Sequence, residues 1–299
     1  MQDIIIIGGS YAGLSAAMAL GRSLRNTLVI DSGLPCNIQT PYSHNFLTQD
    51  GKKPAEIANA AKEQVLQYGT VSILNDRVIE VSGSNGEFNV TTLENRSFST
   101  QKLLFATGIK DILPEIPGFS SCWGISAIHC PYCHGYEVRN EKTGILVNDA
   151  SVYEFVQLIH HWAAMPTVFT NGEVQFDRDL LDRQGIEIVT DELASIQHED
   201  GHLSSLVLAS GSEYSLNVLY HRPAFEQHCP IPETLGCRLT ETGHIEVTNF
   251  QETTLPGIYA AGDCTTLFRS VSGAVAQGNI AGAMLNKELI KEAALIEVI

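Results

Sequence analysis

The stretch Cys130-Pro131-Tyr132-Cys133, followed by His134-Gly135, holds the residue types and spacing that can do chemistry. Two cysteines two residues apart can open and close one disulfide at the start of a helix, where backbone N–H groups stabilise a thiolate. Pro131 suits the first helical position, because its missing N–H would have had no partner there. A CxxC is also half of a zinc site, and His129 and His134 flank this one. Zinc takes four tetrahedral ligands, usually as two separated pairs. Four ligands within six consecutive residues would strain that geometry, so redox chemistry is the stronger of the two readings.

The N-terminus carries a second signal. Residues 3–7 are dominated by isoleucine, as expected of a parallel strand buried on both faces. Gly8-Gly9-Ser10-Tyr11-Ala12-Gly13 follows, then a helix of small residues over 14–20 and a strand over 27–30 ending at Asp31. The turn matches G-x-G-x-x-G at Gly8 and Gly13, with Ser10 in the middle place. The first glycine permits the tight turn, the middle residue must let backbone approach a pyrophosphate, and the last lets helix and strand pack closely. Ser10 adds a Cβ but brings a hydroxyl able to donate to a phosphate. Asp31 lies 23 residues after Gly8, near the ~20 expected of a carboxylate that takes a ribose hydroxyl. The helix N-terminus supplies the positive end for a diphosphate.

The elements that must position these motifs follow from the pattern along the chain. A loop-rich stretch over 32–53 precedes an amphipathic helix over 55–68. Residues 71–99 read as strands around a Gly/Asn-rich turn at 83–86, and a strand over 102–105 ends on Ala106-Thr107-Gly108. Pro114 and Pro117-Gly118 mark a linker. A second α/β unit begins at Thr143, with strands over 144–147, 167–169, 187–189 and 203–208 and a helix over 152–162. Near Gly243 the pattern changes again. A short strand over 245–247 and the run Pro256-Gly257-Ile258-Tyr259-Ala260-Ala261-Gly262-Asp263 lead to a helix over 271–285 and a further amphipathic helix over 287–298.

Length and composition bound the function. A chain of 299 residues suggests two domains. Eighteen Lys and Arg against 34 Asp and Glu give a formal charge of −16, which argues against nucleic acid and against a polybasic membrane surface. No window reaches the ~18 apolar residues of a membrane span, and the N-terminus lacks the basic region of a signal peptide. Seven scattered cysteines do not resemble a secreted disulfide framework, so a reducing, cytoplasmic compartment is expected. Cys36, Cys264, Cys229 and Cys237 are expected to be packing thiols, His160-His161 a solvated pair, and His228 a residue of a loop that could reach the site.

Taken together, Ile-Ile-Gly-Gly-Ser-Tyr-Ala-Gly, Phe105-Ala106-Thr107-Gly108, the CxxC and Pro256 to Asp263 occur in the order and spacing of the low-molecular-weight thioredoxin reductases, which the chain resembles over nearly its whole length. The resemblance implies an α/β protein of two Rossmann-like, three-layer ββα domains. It implies a discontinuous FAD-binding domain over 1–114 and 243–299, and an inserted nucleotide-binding-like domain over 115–242 carrying the CxxC. By the same resemblance Gly8, Ser10, Ala12 and Gly13 would cradle the FAD diphosphate and Asp31 the ribose. Thr107, Gly108, Val78 and Asn45 would lie along the cofactor, and Asp263 would hold the ribityl chain. Arg269, Ser270 and Val271 would open a helix toward the isoalloxazine. Cys133 would be the sulfur facing the flavin and Cys130 the one exchanging with substrate, either a thioredoxin-like protein or a small-molecule disulfide or dithiol. A homodimer is also implied.

The family pattern breaks in two places. An aspartate usually follows the second cysteine as proton donor and acceptor; here His134, of a residue type with an unperturbed pKa near 6.5, is expected to take that role. The inserted domain should carry a second glycine-rich turn and a basic cluster for NADPH. Instead its first strand ends Val147-Asn148-Asp149-Ala150-Ser151-Val152, with no glycine and a carboxylate where a diphosphate would sit. The next ends Phe169-Thr170-Asn171-Gly172, with no arginine. Both changes speak against NADPH. Three readings follow: a reductase of thioredoxin or another disulfide drawing electrons from NADPH, ferredoxin or another donor; a dithiol oxidase that returns electrons to O₂, like the flavin dithiol oxidases of sulfur-containing natural products; and a flavoprotein redox sensor.

Overall fold

The computed structural model describes residues 1–296. Its larger sheet is built on Gln2–Ile7, with Thr27–Asp31 and then Val71–Asn75 on one side and Ser97–Phe105 on the other, all parallel. Ser97–Phe105 continues the sheet in two directions. Its first half pairs antiparallel with Glu87–Thr92, which pairs with Val78–Ser84, and its last residues pair in parallel with Ile258–Ala260. Along Gln2–Ile7 the isoleucines alternate between two cores. Ile4 and Ile6 join Ala16, Ala17 and Leu20, while Ile5 and Ile7 join Phe88, Phe105 and Ile258. The expectation of a strand buried on both faces therefore holds.

On the helical face, Tyr11–Arg22 packs against Val271–Ile296 at unusually close range. A Cβ on Gly278 would meet the Ala12 carbonyl oxygen at 2.0 Å, and one on Gly282 the Ala16 oxygen at 2.7 Å. Ser15 Oγ donates to Val275 O at 2.7 Å. The two C-terminal helices expected from the sequence are one continuous helix as far as Ile296. No proline or glycine interrupts residues 283–296, and Asn286 is held inside the helix by accepting from Arg25 Nε at 2.8 Å. Residues 297–298 of the expected final helix lie outside the described residues. The short strand expected over 245–247 forms only an isolated bridge between Leu239 and Ile245.

The second sheet is parallel throughout, in the order Ile188–Val189, Thr167–Phe169, Thr143–Leu146, Val218–His221, Ala127–Ile128. One face carries Val152–His160 through Val152, Phe155, Val156 and Ile159. The other packs on the antiparallel strands Leu193–Glu199, His202–Leu208 and Glu213–Ser215. The protein is thus α/β with two Rossmann-like units, as expected. The chain passes between them along an antiparallel ribbon of Ile109–Ile112 with Ala224–Gln227. Cys229, Ile231 and Cys237 already belong to the core of the larger sheet, ahead of the Gly243 transition read from composition. Among the described residues no helix is long and apolar enough to cross a membrane.

Candidate active site

Three strands of the larger sheet end side by side on turns of small residues. Gly8 N–H donates to Ile30 O at 2.8 Å, Ala106 N–H to Ile7 O at 2.8 Å and Ala261 N–H to Phe105 O at 2.9 Å. The C-terminal edge of such a sheet is where doubly wound folds bind nucleotides. Here it opens into a cavity of about 1160 Å³, above the ~300–1,000 Å³ of ordinary small-molecule pockets. Gly8, with φ at +107°, passes so near the next strand that a Cβ would lie 2.3 Å from Ala106 O. A Cβ on Gly13 would lie 1.9 Å from Gly8 O. That glycine packs the turn and does not line the cavity.

Of the residues expected at the cofactor, the cavity wall includes Gly8, Ser10, Ala12, Asp31, Asn45, Val78, Thr107, Gly108, Asp263, Arg269, Ser270 and Val271. Asp31 accepts from Gly9 N–H at 3.1 Å and faces Lys62 Nζ at 3.3 Å, so one oxygen fixes the turn and the other meets a cation. The Thr107 hydroxyl is buried without a partner. Arg269 grips Asp111 with two N–H donors, at 2.7 and 3.3 Å, and its Nε lies 3.5 Å from Asp263. Burial pushes the Asp263 carboxyl up against the opposing pull of that guanidinium. A glycine cradle, an orphaned hydroxyl and a guanidinium held beside two carboxylates fit a dinucleotide.

The CxxC enters this cavity from the inserted unit. Cys130 caps the one-turn helix Pro131–His134, whose first position Pro131 occupies as expected. The Cys133 thiol donates to Cys130 Sγ at 3.0 Å, and both thiols are free. Cys133 and His134 line the cavity, and Cys130 does not. The Cys133 thiol, opposed by burial and helped by the N–H groups of Cys133 and Tyr132, draws the Cys130 pKa down to about 7. Cys133, giving that hydrogen bond and partly buried, is pushed up. The pair is therefore asymmetric, with the ready thiolate on the sulfur away from the cavity. Burial, then His44, lowers His134 to about 4. Burial, then Arg269, does the same to His129, which also lines the cavity. Among the described residues no group of three or more His, Cys, Asp and Glu could hold a metal.

His129 was weighed only as a metal ligand beside the CxxC, and sequence reasoning missed His44, Lys62 and Asp111 as residues of this site. None stands in a motif, and each arrives through chain crossings that spacing does not reveal. His228 and Cys36 do reach the cavity wall, whereas the Cys264 sulfur packs at 3.4 Å from Ala261 O.

The turn where the second unit would take NADPH is filled by its own side chains. Asn148 Nδ2 donates to Glu173 O and its Oδ1 accepts from Gln175 N–H, both at 2.8 Å, which ties the turn to the loop after the next strand. Asp149 Oδ1 accepts from Ser151 N–H at 2.7 Å at the head of the helix.

The family model described as pyridine nucleotide-disulphide oxidoreductase matches residues 2–147 and 150–278. The thioredoxin reductase sirT of Leptosphaeria maculans is 33% identical over 305 residues, covering 95% of this chain and 93% of that protein. The thioredoxin reductase tcpT of Claviceps purpurea is 30% identical over 304 residues, covering 97% and 95%. The crystal structure of an oxidoreductase from Agrobacterium tumefaciens is 37% identical with a TM-score of 0.90, covering 97% of this chain and 98% of its own.

Proposed function

The chain belongs to the pyridine nucleotide-disulphide oxidoreductase family and is similar to thioredoxin reductases, and from that premise we propose that it is an FAD-dependent thiol–disulfide oxidoreductase working through Cys130 and Cys133. One observation carries the reading: the glycine cradle, Thr107 and Cys133 line the same cavity. Gly8, Ser10 and Ala12 would hold the diphosphate of FAD and Asp31 its ribose. Thr107, Gly108, Asp263 and the start of Val271–Ile296 would flank the rest, with Asn45 and Val78 on the facing walls. Bound FAD supplies a two-electron donor and acceptor.

The protein's own residues do the thiol chemistry. A substrate thiolate attacks Cys130 Sγ of the closed pair, the bond to Cys133 breaks, and a mixed disulfide forms. The second substrate thiol then displaces Cys130. The substrate disulfide forms, the enzyme disulfide opens, and two electrons and two protons pass to the enzyme thiols. The same steps reversed reduce a disulfide. His134 takes or returns the proton of Cys133. The substrate is a thioredoxin-like protein or a small-molecule disulfide or dithiol, and the working assembly is a homodimer.

The bonded turn at Asn148 favours a second, more specific reading of direction: substrate dithiol is the donor and O₂ the final acceptor, giving the substrate disulfide and one hydrogen peroxide per dithiol. An Asp149 carboxylate oxygen already takes the Ser151 N–H at the head of the helix, where a diphosphate would need a donor, and puts a negative charge there. The test is anaerobic holoprotein mixed with NADPH or with dithiothreitol while the visible flavin band is followed. Bleaching by dithiothreitol alone, with recolouring and peroxide on admitting air, is expected. Bleaching by NADPH would overturn the second reading; bleaching by neither would overturn the first.

A further inference from the structure

Four of the ten histidines, His44, His129, His134 and His228, line the cavity, and among them His44 meets carboxylates. Its Nδ1 lies 3.7 Å from Asp50 Oδ1 and 3.6 Å from Glu137 Oε1. The position is built. Ser43 N–H donates to Lys52 O at 2.8 Å and Gly51 N–H to Ser43 O at 2.9 Å, closing the base of the loop that carries His44. Gly51 takes φ +76°, a left-handed conformation that the loop needs here and that glycine adopts without strain. Asp50 Oδ1 is fixed by accepting from Asn45 N–H at 2.7 Å. Glu137 arrives from the opposite side, three residues beyond His134. His44 thus stands where the two units meet.

It also stands between two spaces. A second cavity of about 350 Å³, walled by His44, Asp50, Glu137, Tyr132, Tyr136 and Trp162 among others, lies on the outer side of the CxxC helix. The side chains of Asp50 and Glu137 are 68% and 41% exposed, so both reach water. His134 sits on the inner wall with Cys133 and, held to about 4, keeps no proton at neutral pH. A proton it accepts must move on, and every opening or closing of the dithiol moves two of them. The titratable groups around His44 are Asp50 from its own loop and Tyr132, Tyr136 and Glu137 from the CxxC segment, and the charge of His44 is felt at His134 across the inner cavity that both line.

We propose that His44 is the outer half of a proton path that joins the Cys130/Cys133 pair, through His134, to Asp50 and Glu137 and so to solvent. The assignment rests on the thiol–disulfide function proposed above. In the outward direction the S–H bond of Cys133 breaks and an N–H bond forms on His134. The proton then passes to His44, to a carboxylate and to water, with no electrons exchanged along the path. Uptake runs the same sequence backwards.

The experiment is stopped-flow bleaching of the holoprotein by dithiothreitol from pH 5.5 to 9, in dilute buffer with and without added imidazole. His44→Asn is expected to slow bleaching at least about tenfold near neutrality, since positioned proton transfer contributes about 10²–10⁴-fold. Imidazole should restore the rate, and the flavin spectrum should be unchanged. The double variant Asp50→Asn, Glu137→Gln alters only side chains that reach solvent. It should show a smaller loss in the same direction, relieved by concentrated buffer. A readout free of turnover accompanies these: the midpoint for iodoacetamide alkylation of Cys130 should stay at its wild-type value in His44→Asn. A wild-type bleaching rate in either variant, a loss that imidazole does not relieve, or a displaced alkylation midpoint would each overturn the path. If the wild type itself is not bleached by dithiothreitol, the function fails and the path with it. A bleaching wild type with an equally fast His44→Asn sinks the path alone.

Discussion

Lys102→Met tests how the frame that carries the site is held together. Lys102 lies in Ser97–Phe105 with none of its side chain exposed. Its ammonium donates to Asn85 Oδ1 at 2.7 Å and to Glu288 and Glu292 at 2.6 Å each. Both glutamates belong to Val271–Ile296, and Glu288 also accepts from Tyr259 OH at 2.7 Å. Methionine keeps the stem's volume but leaves two neighbouring carboxylates with no cation. Breaking a buried pair on one side costs ~3–5 kcal/mol. Because Glu288 and Glu292 keep 25% and 36% of their side-chain exposure, the lower end applies, about 3 kcal/mol. At ~2–4 °C per kcal/mol, melting should fall by roughly 6–12 °C.

The pH dependence of that loss is fixed in sign. Burial pushes Glu292 up, but its bonds to Lys102 and Asn85 outweigh this and leave its folded pKa below the ordinary value. The ion pair therefore contributes fully above the unfolded carboxylate pKa of about 4.3. The contribution is lost as pH falls through the lower folded value. Melting scans of wild type and variant, each saturated with FAD so that ligand linkage is equal, should differ by a constant amount from pH 6 to 8. The gap should shrink below about pH 4.3. A wild-type melting temperature in the variant at pH 7, or a gap that persists at pH 3.5, would refute the reasoning.

Other consequences of the geometry are checked more briefly. Cys133→Ala removes the thiol that donates to Cys130, so the alkylation midpoint of Cys130 should rise from about 7 toward the ~8.5 of an ordinary cysteine. An unchanged midpoint would place the cause elsewhere. Gly8→Ala puts a Cβ 2.3 Å from Ala106 O at a positive φ, and the purified protein should be colourless and recover no flavin band with added FAD. Arg269→Met leaves Asp111 and Asp263 without their shared cation and removes a charge that holds His129 near 4. The His129 ring resonances should then titrate at higher pH, and flavin content should drop.

How much of this was legible depends on whether a motif is local. The Gly8 turn, the strand-end residues Thr107, Gly108 and Asp263, and the CxxC were readable because each function is set by a few consecutive residues. The parallel sheet then fixes where those residues must meet. The boundaries that failed were set by tertiary contact. The last helix runs through the expected break at residue 286 because Asn286 accepts from Arg25, a contact visible only once the helix lies beside the segment that follows Tyr11–Arg22. The ribbon of Ile109–Ile112 with Ala224–Gln227 joins residues more than 100 positions apart, beyond any periodicity.

The least legible part of the site is its polar wall. Arg269 was expected because it opens a helix, yet its strongest partner is Asp111, on the strand that leaves the Thr107-Gly108 turn for the inserted unit. That pairing ties the start of Val271–Ile296 to the crossover strand, so the cavity floor and the route to the second unit are fixed by one ion pair. His44 and Glu137 meet at the smaller outer cavity, from a loop with no motif and from the stretch just beyond the CxxC. The motifs therefore name the candidate reacting groups, while pairs between distant segments such as Arg269 and Asp111 set how the walls around them are held. A sequence displays the first directly. The second appears only when the fold brings the segments together.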